Sequence, residues 1–194
     1  SGKLYRSTNS GNTWASYTSL TDNLKSVFSL NDNVWISSDN GKIFKTLKTN
    51  SSIDVVNIGV TSTINSVIFV NDNVGFLCGD GGVLYKSIDG GTSWTLSNSG
   101  IGTVKLNSIS FSDLQNGVTV GESGKVFLTV NGGATWTQEN VNTTQNLLKV
   151  KYFNDGISLV GEYGVLMLKP NGSAWTAVNT RINTDITGVS GMSM

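Results

Sequence analysis

Four acidic residues recur at one place in a repeated turn, and they are the groups in this chain best spaced for chemistry. Each turn consists of a small residue, an acid, any residue and then glycine, and the acids follow one another at intervals of 40 to 42 residues. The acids are Asp39, Asp80, Glu122 and Glu162. Carboxylates that share one opening repel each other, so a cation or a basic group of a partner would stabilise them.

Turn formation is the simpler explanation of the same four acids, because aspartate suits a tight turn. Glutamate suits turns less well, so Glu122 and Glu162 fit the functional explanation better than the other two. Tyr163 directly follows the last acid. We predict that any ligand binds on the face that carries these turns, with the four acids and Tyr163 at its edge.

The absence of certain residue types excludes most catalytic machinery. The sequence has no histidine, which excludes Ser-His-Asp and Cys-His catalysis and histidine-bound zinc or haem. Cys78 is the one cysteine, so the chain has no internal disulfide, and the apolar neighbours of this residue predict a buried strand position. The glycines at 79–82 lack the Lys-Ser/Thr pair of a phosphate-binding loop. We therefore predict no catalytic residue, no metal site and no enzyme.

Calcium is the one ion that the sequence leaves open. Asn-Asp-Asn occurs at residues 31–33 and again at 71–73, and calcium takes oxygen ligands of this kind. A single carboxylate in each segment is few for calcium, and both segments also suit tight turns. Turn formation is the interpretation we favour, and no cofactor is predicted.

A second motif with the same period identifies the structure that carries the acids. It combines Ser or Thr, then Asp or Asn, then Gly, and ends on Trp. Three full copies contain Ser7, Asn9, Gly11 and Trp14; Ser87, Asp89, Gly91 and Trp94; and Thr129, Asn131, Gly133 and Trp136. A shorter copy contains Asn171 and Trp175, and a degraded copy runs from Thr46 to Ile53. A fixed period of about 40 residues indicates a repeat architecture.

Each copy of this Trp motif has the chemistry of a hairpin turn. The Asp or Asn side chain can accept hydrogen bonds from backbone N–H groups nearby, and the glycines adopt positive φ without a steric penalty. The Trp then covers the strand pair as an apolar lid, with its N–H available to a partner. We predict a structural role for the motif, with Trp94 and Trp136 buried.

Alternating apolar runs separated by Gly, Asn and Asp predict an all-β fold. Residues 106–140 show one unit of four strands, which we name A, B, C and D in chain order. The acids lie in B–C turns and the Trp motif lies in C–D turns, so the two occupy opposite faces of a four-stranded meander. Complete units occupy about residues 21–60, 61–102, 103–143 and 144–182, within a single domain of residues 1–194.

The two ends supply parts of a further unit. Residues 1–20 match strands C and D, and Ile186-Thr-Gly-Val189, in the partial repeat 183–194, matches the start of strand A. No segment matches strand B of this unit. Either the ends share a fifth blade or the chain is a piece of a longer propeller, and the lack of strand B favours the second. Open blade edges would then favour self-association.

The Trp motif, Ser/Thr-x-Asp/Asn-x-Gly-x-Ser/Thr-Trp, resembles the Asp-box, or bacterial neuraminidase repeat, and its copies cover nearly the whole chain. Sialidases, sortilin-type receptors and the photosystem II assembly factor family share it. The resemblance implies a β-propeller of four complete blades plus one split or partial blade, in which the box is structural. Sialidase chemistry would need three arginines around a carboxylate, whereas this sequence has only Arg6 and Arg181, and lysine lacks the planar fork of arginine.

Composition and resemblance together narrow the function. The chain carries 13 basic and 13 acidic residues, so nothing points to nucleic acid, and no apolar run is long enough for a membrane-spanning helix. The resemblance implies a non-catalytic recognition or scaffold module of a secreted, cell-surface or periplasmic protein, binding protein or carbohydrate. A fragment of a secreted glycoside hydrolase is the alternative, and a purely structural repeat is a third.

Overall fold

The computed structural model describes residues 2–49 and 52–190, and within them it is all-β, with eighteen strands and three short 3₁₀ turns. The strands are β1 Gly2–Arg6, β2 Ala15–Leu20, β3 Leu24–Leu30, β4 Asn33–Ser38, β5 Lys42–Leu47, β6 Asp54–Asn57, β7 Ile64–Phe69, β8 Gly75–Gly79, β9 Leu84–Ser87, β10 Thr95–Leu96, β11 Leu106–Phe111, β12 Gly117–Gly121, β13 Val126–Thr129, β14 Thr137–Glu139, β15 Leu147–Phe153, β16 Gly156–Gly161, β17 Leu166–Pro170 and β18 Thr176–Ala177. The 3₁₀ turns are Asp80–Gly82, Glu122–Gly124 and Glu162–Gly164. No helix in the described part of the chain is long and apolar enough to cross a membrane.

Sixteen of these strands form four blades, each an antiparallel meander in chain order. Blade 1 is β3–β6, blade 2 is β7–β10, blade 3 is β11–β14 and blade 4 is β15–β18. Strands A of successive blades pack side by side, β3 on β7, β7 on β11 and β11 on β15, which places strand A nearest the common axis. The predicted all-β propeller with four complete blades is therefore confirmed, and the hairpin β1–β2 is its partial blade.

The hydrophobic core is divided among the three interfaces between neighbouring blades. At the first interface Trp35 of strand B stacks on Phe69 of the next strand A, with ring centroids 3.7 Å apart. Phe69 in turn meets Trp94 of the Trp motif in a T-shaped contact at 5.8 Å. The equivalent trio at the second interface is Phe76, Phe111 and Trp136. Because aromatic pairs contribute about 0.5–1.5 kcal/mol beyond their buried area, these trios hold neighbouring blades together.

A β-bulge at the second residue of every complete strand A adds a further link. The register of β3, β7, β11 and β15 against strand B shifts at that residue. In two blades the bulged residue is asparagine, and Asn65 donates to the carbonyl of Leu106 while Asn107 donates to that of Leu147, both at 2.8 Å. A bulge re-aims a side chain, and here it redirects the amide to the next blade.

The ends differ from the predicted fifth unit. The segment Ile186–Val189 is not a strand, in contrast to its sequence match with strand A. The N–H of Ile186 donates to the carbonyl of Gly161 at 3.0 Å. A strand needs a neighbouring strand for the rest of its backbone groups, and within the described residues no strand B accompanies this segment. Residues 50 and 51 of the degraded Trp motif, and residues 191–194 of the partial repeat, lie outside the described residues.

Candidate functional site

The turns of the Trp motif are hydrogen-bonded through the residues that define the motif. In blade 2 the Ser87 hydroxyl accepts from the backbone N–H of Gly91 and donates to the Asp89 carboxylate, both at 2.8 Å. That carboxylate also accepts from the hydroxyl and the N–H of Ser93, at 2.6 and 2.9 Å. These bonds, led by the Ser93 hydroxyl, lower the pKa of Asp89 to about 2. The equivalent residues, with Asn in place of the acid, are Ser7, Asn9 and Gly11 in the first copy and Thr129, Asn131 and Gly133 in the third.

The shorter copy uses different bonds, because it has one residue fewer. The side-chain amide of Asn171 donates to the carbonyl of Asn154 at 2.6 Å. This bond ties the C–D turn of blade 4 to its A–B turn, so the two turns lie on one face. In blade 2 the N–H of Gly90 likewise donates to the carbonyl of Asn73. The calcium candidates at 31–33 and 71–73 lie in these A–B turns, where the Asn71 side chain accepts from two backbone N–H groups.

The motif tryptophans differ in burial. Trp136 is 4 % exposed, and its N–H donates to a carbonyl of blade 2 at 2.8 Å, so its predicted burial is confirmed. Trp94 and Trp175 are half-buried, which corrects the prediction for Trp94. Trp14 is 64 % exposed, because no preceding blade lies beneath its hairpin among the described residues. The motif therefore specifies the turn, whereas the neighbouring blade decides the burial of its tryptophan.

The four predicted acids each hold a B–C turn to the entry of strand A in the same blade. Each carboxylate accepts a hydrogen bond from that entry at 2.7 to 3.2 Å. The pairs are Asp39 with Asn23, Asp80 with Asn65, Glu122 with the N–H of Lys105, and Glu162 with Asn146. The backbone N–H of each acid also donates to a carbonyl of the same entry. The acids therefore serve the turn, whatever else they bind.

In blades 2 and 3 the N–H of the last glycine of the B–C turn donates to a carbonyl of the loop that leads to the next blade. The N–H of Gly124 donates to the carbonyl of Gln145 at 2.9 Å. A Cβ at Gly124 would collide with the carbonyl oxygen of Thr143, and its φ of 68° lies in the left-handed region. Glycine alone meets both requirements. We call this Gly-acid-x-Gly turn, bonded to its own strand A and to the following loop, the blade latch.

The blade latch is also present at the end of blade 4, although no further blade follows it within the described residues. The N–H of Ser123 in blade 3 donates to the side chain of Asn146 at 3.0 Å. In blade 4 the N–H of Tyr163 donates to Asp185 at 3.3 Å. Asp185 precedes Ile186 just as Asn146 precedes the strand A of blade 4. The loop before residue 186 thus has the geometry of a strand A entry, although the residues that follow are not a strand.

Sequence reasoning missed the residues that receive these turns. Asp22, at the entry to blade 1, is 5 % exposed and accepts from the side chains of Asn40 at 2.8 Å and Lys42 at 3.1 Å. These bonds, the one from Asn40 first, lower its pKa. Asn146 and Asp185 instead accept from a backbone N–H of the preceding B–C turn, that of Ser123 and that of Tyr163. The signal that would have found the last two is an Asn or Asp directly before each match to strand A.

Three of the four acids keep one oxygen available to a ligand. Asp80 Oδ2, Glu122 Oε2 and Glu162 Oε2 accept no hydrogen bond from the described residues, whereas Asp39 uses both oxygens on Asn23. Asp80 also forms an ion pair through its other oxygen, Oδ1, with Lys105 at 3.7 Å. Tyr163 is 65 % exposed and has a φ of 52°. We call the four acids and Tyr163 the acidic turn surface. No three His, Cys, Asp or Glu side chains within residues 2–49 and 52–190 are grouped so as to hold a metal ion.

Four carboxyls have pKa values that do not suit acid catalysis. Where the pKa of a carboxyl departs clearly from its ordinary value, it is lowered, and the largest cause is a hydrogen bond from an Asn or Ser side chain. Four carboxyls show this. They are Asp22, Asp39, Asp89 and Asp113. A glycosidase needs one carboxyl with a raised pKa as its general acid. None of these four fits that role.

An apolar groove lies between the hairpin β1–β2 and blade 1, on the face that carries the Trp motif. Its volume is about 540 Å³. Its apolar lining includes Leu4, Tyr5, Trp14, Val27, Val34 and Leu47. We call it the hairpin groove. The sequence did not predict it, because it depends on how the hairpin sits against the first complete blade.

Solved β-propellers share this arrangement of blades. YCF48 bound to D1 peptide matches with a TM-score of 0.60 and 20 % identity, over 84 % of this chain and 47 % of that one. YCF48 from Cyanidioschyzon merolae matches with a TM-score of 0.69 and 14 % identity, over 94 % and 68 % of the two chains. The GH74 enzyme of Niastella koreensis matches with a TM-score of 0.75 and 15 % identity, over 93 % of this chain and 34 % of that one.

These similarities show that the chain shares the β-propeller fold. At 14 to 20 % identity they do not show a shared function. The chain spans less than half the length of the peptide-bound YCF48 and about a third of the GH74 enzyme. No protein-family model matches the chain, and no curated protein matches it.

Proposed function

We propose that this chain is a non-catalytic propeller module that recognises a partner protein through the acidic turn surface. The observation that supports this proposal is that the two oxygens of one carboxylate have different roles. In Asp80, Glu122 and Glu162 one oxygen holds the turn while the other accepts nothing from the described residues. A rigid carboxylate with a free oxygen is a ready acceptor for a lysine, an arginine or a cation.

Protein is the partner class that the comparisons favour. A propeller of the same fold, YCF48, has been solved with a bound peptide. Carbohydrate is the second ligand class, because carboxylate oxygens accept from hydroxyl groups and the exposed ring of Tyr163 offers an apolar face. On the resemblance to Asp-box proteins, we place the protein outside the cytoplasm, as a secreted, cell-surface or periplasmic module.

A fragment of a secreted glycoside hydrolase is the second candidate function. The match to the GH74 enzyme, with a TM-score of 0.75, supports it. The lowered pKa values of Asp22, Asp39, Asp89 and Asp113 exclude these four carboxyls as the general acid, since hydrolysis needs a protonated acid near neutral pH. Assays with nitrophenyl glycosides test it directly, and we expect no release of nitrophenol.

The recognition proposal is tested by removing charge while keeping the turn. The variant Asp39→Asn, Asp80→Asn, Glu122→Gln and Glu162→Gln retains an amide oxygen at each acceptor position, so the bonds to strand A can persist. We expect the wild-type chain to bind a hexalysine peptide or calcium in titration calorimetry and the variant to lose that binding. Its melting temperature should be unchanged or raised, because like charges on one surface repel each other.

A matched control has the same change of charge on the other face. It converts four acids in or beside the A–B and C–D turns to asparagine: Asp32, Asp54, Asp72 and Asp89. This control should bind as the wild type does. Equal loss of binding in both variants would show that net charge alone is responsible. A wild type that binds neither probe, with strong destabilisation of the first variant, would show that the acids serve the turns only.

A further inference from the structure

Four asparagines of this chain are directly followed by glycine, and the side-chain amide of asparagine is chemically labile in such a pair. They are Asn40, Asn116, Asn131 and Asn171. In deamidation the backbone nitrogen of the glycine bonds the asparagine Cγ and gives up its proton, and the side-chain nitrogen leaves as ammonia. Water then opens the resulting ring to aspartate or isoaspartate. The reaction needs no enzyme, but the glycine backbone must be free to move.

Three of the four glycines are held in place by the fold. Gly41, Gly117 and Gly132 are all buried. A Cβ at Gly41 would collide with the carbonyl oxygen of Val60, and Gly117 lies within a strand that is paired on both sides. The N–H of Gly132 donates to the carbonyl of Gln115 at 2.9 Å. In these three pairs the glycine nitrogen reaches the asparagine Cγ only if the structure opens locally.

The fourth pair is open to solvent. Asn171 and Gly172 are both exposed, in the C–D turn of blade 4. A Cβ built at Gly172 would have no atom within 4 Å, and the N–H of this glycine donates no hydrogen bond to the described residues. The glycine backbone can therefore turn its nitrogen towards the Asn171 side chain without disturbing any packed group.

The preceding blade explains why this glycine is uncovered. In blades 2 and 3 the glycine after the motif Asp or Asn lies under a lysine from strand C of the blade before. Lys45 Nζ is 3.5 Å from a Cβ built at Gly90, and Lys86 Nζ is 3.3 Å from one built at Gly132. Strand C of blade 3 has Leu128 at this place, and that side chain packs into the core between blades 3 and 4. Blade 4 therefore receives no lysine over its glycine.

We propose that Asn171 is a self-modification site, at which the folded chain deamidates and gains a carboxylate while the other three asparagines stay intact. The site goes beyond the proposed recognition function, because it lies on the face opposite the acidic turn surface and needs no ligand. The reaction consumes one water and releases one ammonia for each chain.

The new carboxylate changes the structure at this position because the Asn171 side chain is a donor. In a full copy of the Trp motif the side-chain oxygen of Asn131 accepts from a backbone N–H, and the carboxylate of Asp89 accepts the same bond. A carboxylate therefore fits a full copy. In the shorter copy the Asn171 amide donates to the carbonyl of Asn154 at 2.6 Å, and an ionised carboxylate cannot donate. Deamidation thus breaks a bond between the C–D and A–B turns of blade 4.

The test compares the folded wild-type chain with the same chain unfolded in urea, both kept at mildly alkaline pH and sampled over time. Peptide mass spectrometry measures the conversion of each asparagine. In the folded chain Asn171 should convert at least about tenfold faster than the other three, because their glycines react only after local opening. In urea all four should convert at comparable rates. Comparable rates in the folded chain, or faster conversion at another pair, would overturn the proposal.

The structural effect has its own test, with a matched control that adds the same charge. Asn171→Asp should lower the melting temperature and speed the hydrogen exchange of the backbone N–H of residue 171, which donates to the carbonyl of Asp155. Asn131→Asp should leave the melting temperature unchanged, since Asp89 already occupies the equivalent place in blade 2. An unchanged melting temperature for Asn171→Asp, or an equal loss for Asn131→Asp, would overturn the role of the Asn171 amide as a donor.

Discussion

Trp136 gives the sharpest test of the structural role of the Trp motif. Its side chain is 4 % exposed, and its N–H donates to the carbonyl of Ser97. An aromatic side chain that buries roughly 200 Å² contributes about 5 kcal/mol at about 25 cal/mol per Å², as an upper value. Truncation of a core tryptophan typically costs about 3–5 kcal/mol. We expect Trp136→Ala to lower the free energy of unfolding by about 3–5 kcal/mol.

Trp14 is the matched control within the same chain. It belongs to an equivalent turn but is 64 % exposed, so only about a third of its area is removed from water. Trp14→Ala should therefore cost less than about 2 kcal/mol. Trp94→Ala, which removes a half-buried ring packed against Phe69, should fall between the two.

Urea denaturation followed by far-ultraviolet circular dichroism measures all three variants, since tryptophan fluorescence changes with the substitution itself. The expected order of destabilisation is Trp136 first, then Trp94, then Trp14. An equal cost for Trp14 and Trp136 would refute the link between burial and stability. A loss below about 1 kcal/mol for Trp136→Ala would mean that the tryptophans serve a ligand rather than the fold.

Three further predictions concern single residues. Gly124→Ala should lower the free energy of unfolding by about 2–4 kcal/mol, because its Cβ would collide with the Thr143 carbonyl oxygen at a φ of 68°. Gly102 has a φ of 71°, but a Cβ there would have no atom within 4 Å, so Gly102→Ala should lower the free energy of unfolding by only about 1 kcal/mol. Equal losses for the two glycine variants in urea denaturation would contradict the role of Gly124 in the blade latch. The lowered pKa of Asp89, about 2 against a usual 3.8, means that its ionised form stabilises the fold above about pH 4 and that this is lost as pH falls through about 2. Asp89→Asn should therefore flatten the acid side of the stability curve, and superimposable curves would contradict the carboxylate network. Cys78 is fully buried, which raises the pKa of its thiol to about 12, so a thiol reagent at about pH 8 should label it only after unfolding; rapid labelling of the native chain would show that it is accessible.

The repeat and its turns could be predicted from the sequence because their interactions are local. In the Trp motif the hydroxyl of Ser87 and the carboxylate of Asp89 bond groups no more than four residues away. The motif therefore contains both partners of each bond. Alternating apolar residues then specified the strands between the turns, and the blades follow from their order.

The rest could not be predicted because it depends on contacts between blades. The bond of the Trp136 N–H reaches back 39 residues, to Ser97, and no pattern within one unit shows it. The acids were identified as a recurring set, but their partners were not, since Glu162 is bonded by Asn146, 16 residues earlier. The exposure of Trp14 and the hairpin groove likewise depend on what lies beside β1.

The blade latch means that the contact between two neighbouring blades is formed by residues of two successive sequence units. A turn in one unit is completed by a loop that belongs to the next, and the bulged asparagines reach forward in the same direction. An internal duplication or deletion of one whole unit, joined at equivalent positions, would therefore leave every B–C turn beside a loop at the equivalent position of the next unit. A join at any other phase would leave a turn without its loop. Such a chain can change its number of blades by recombination in steps of about 40 residues, and each step adds or removes one carboxylate at the acidic turn surface.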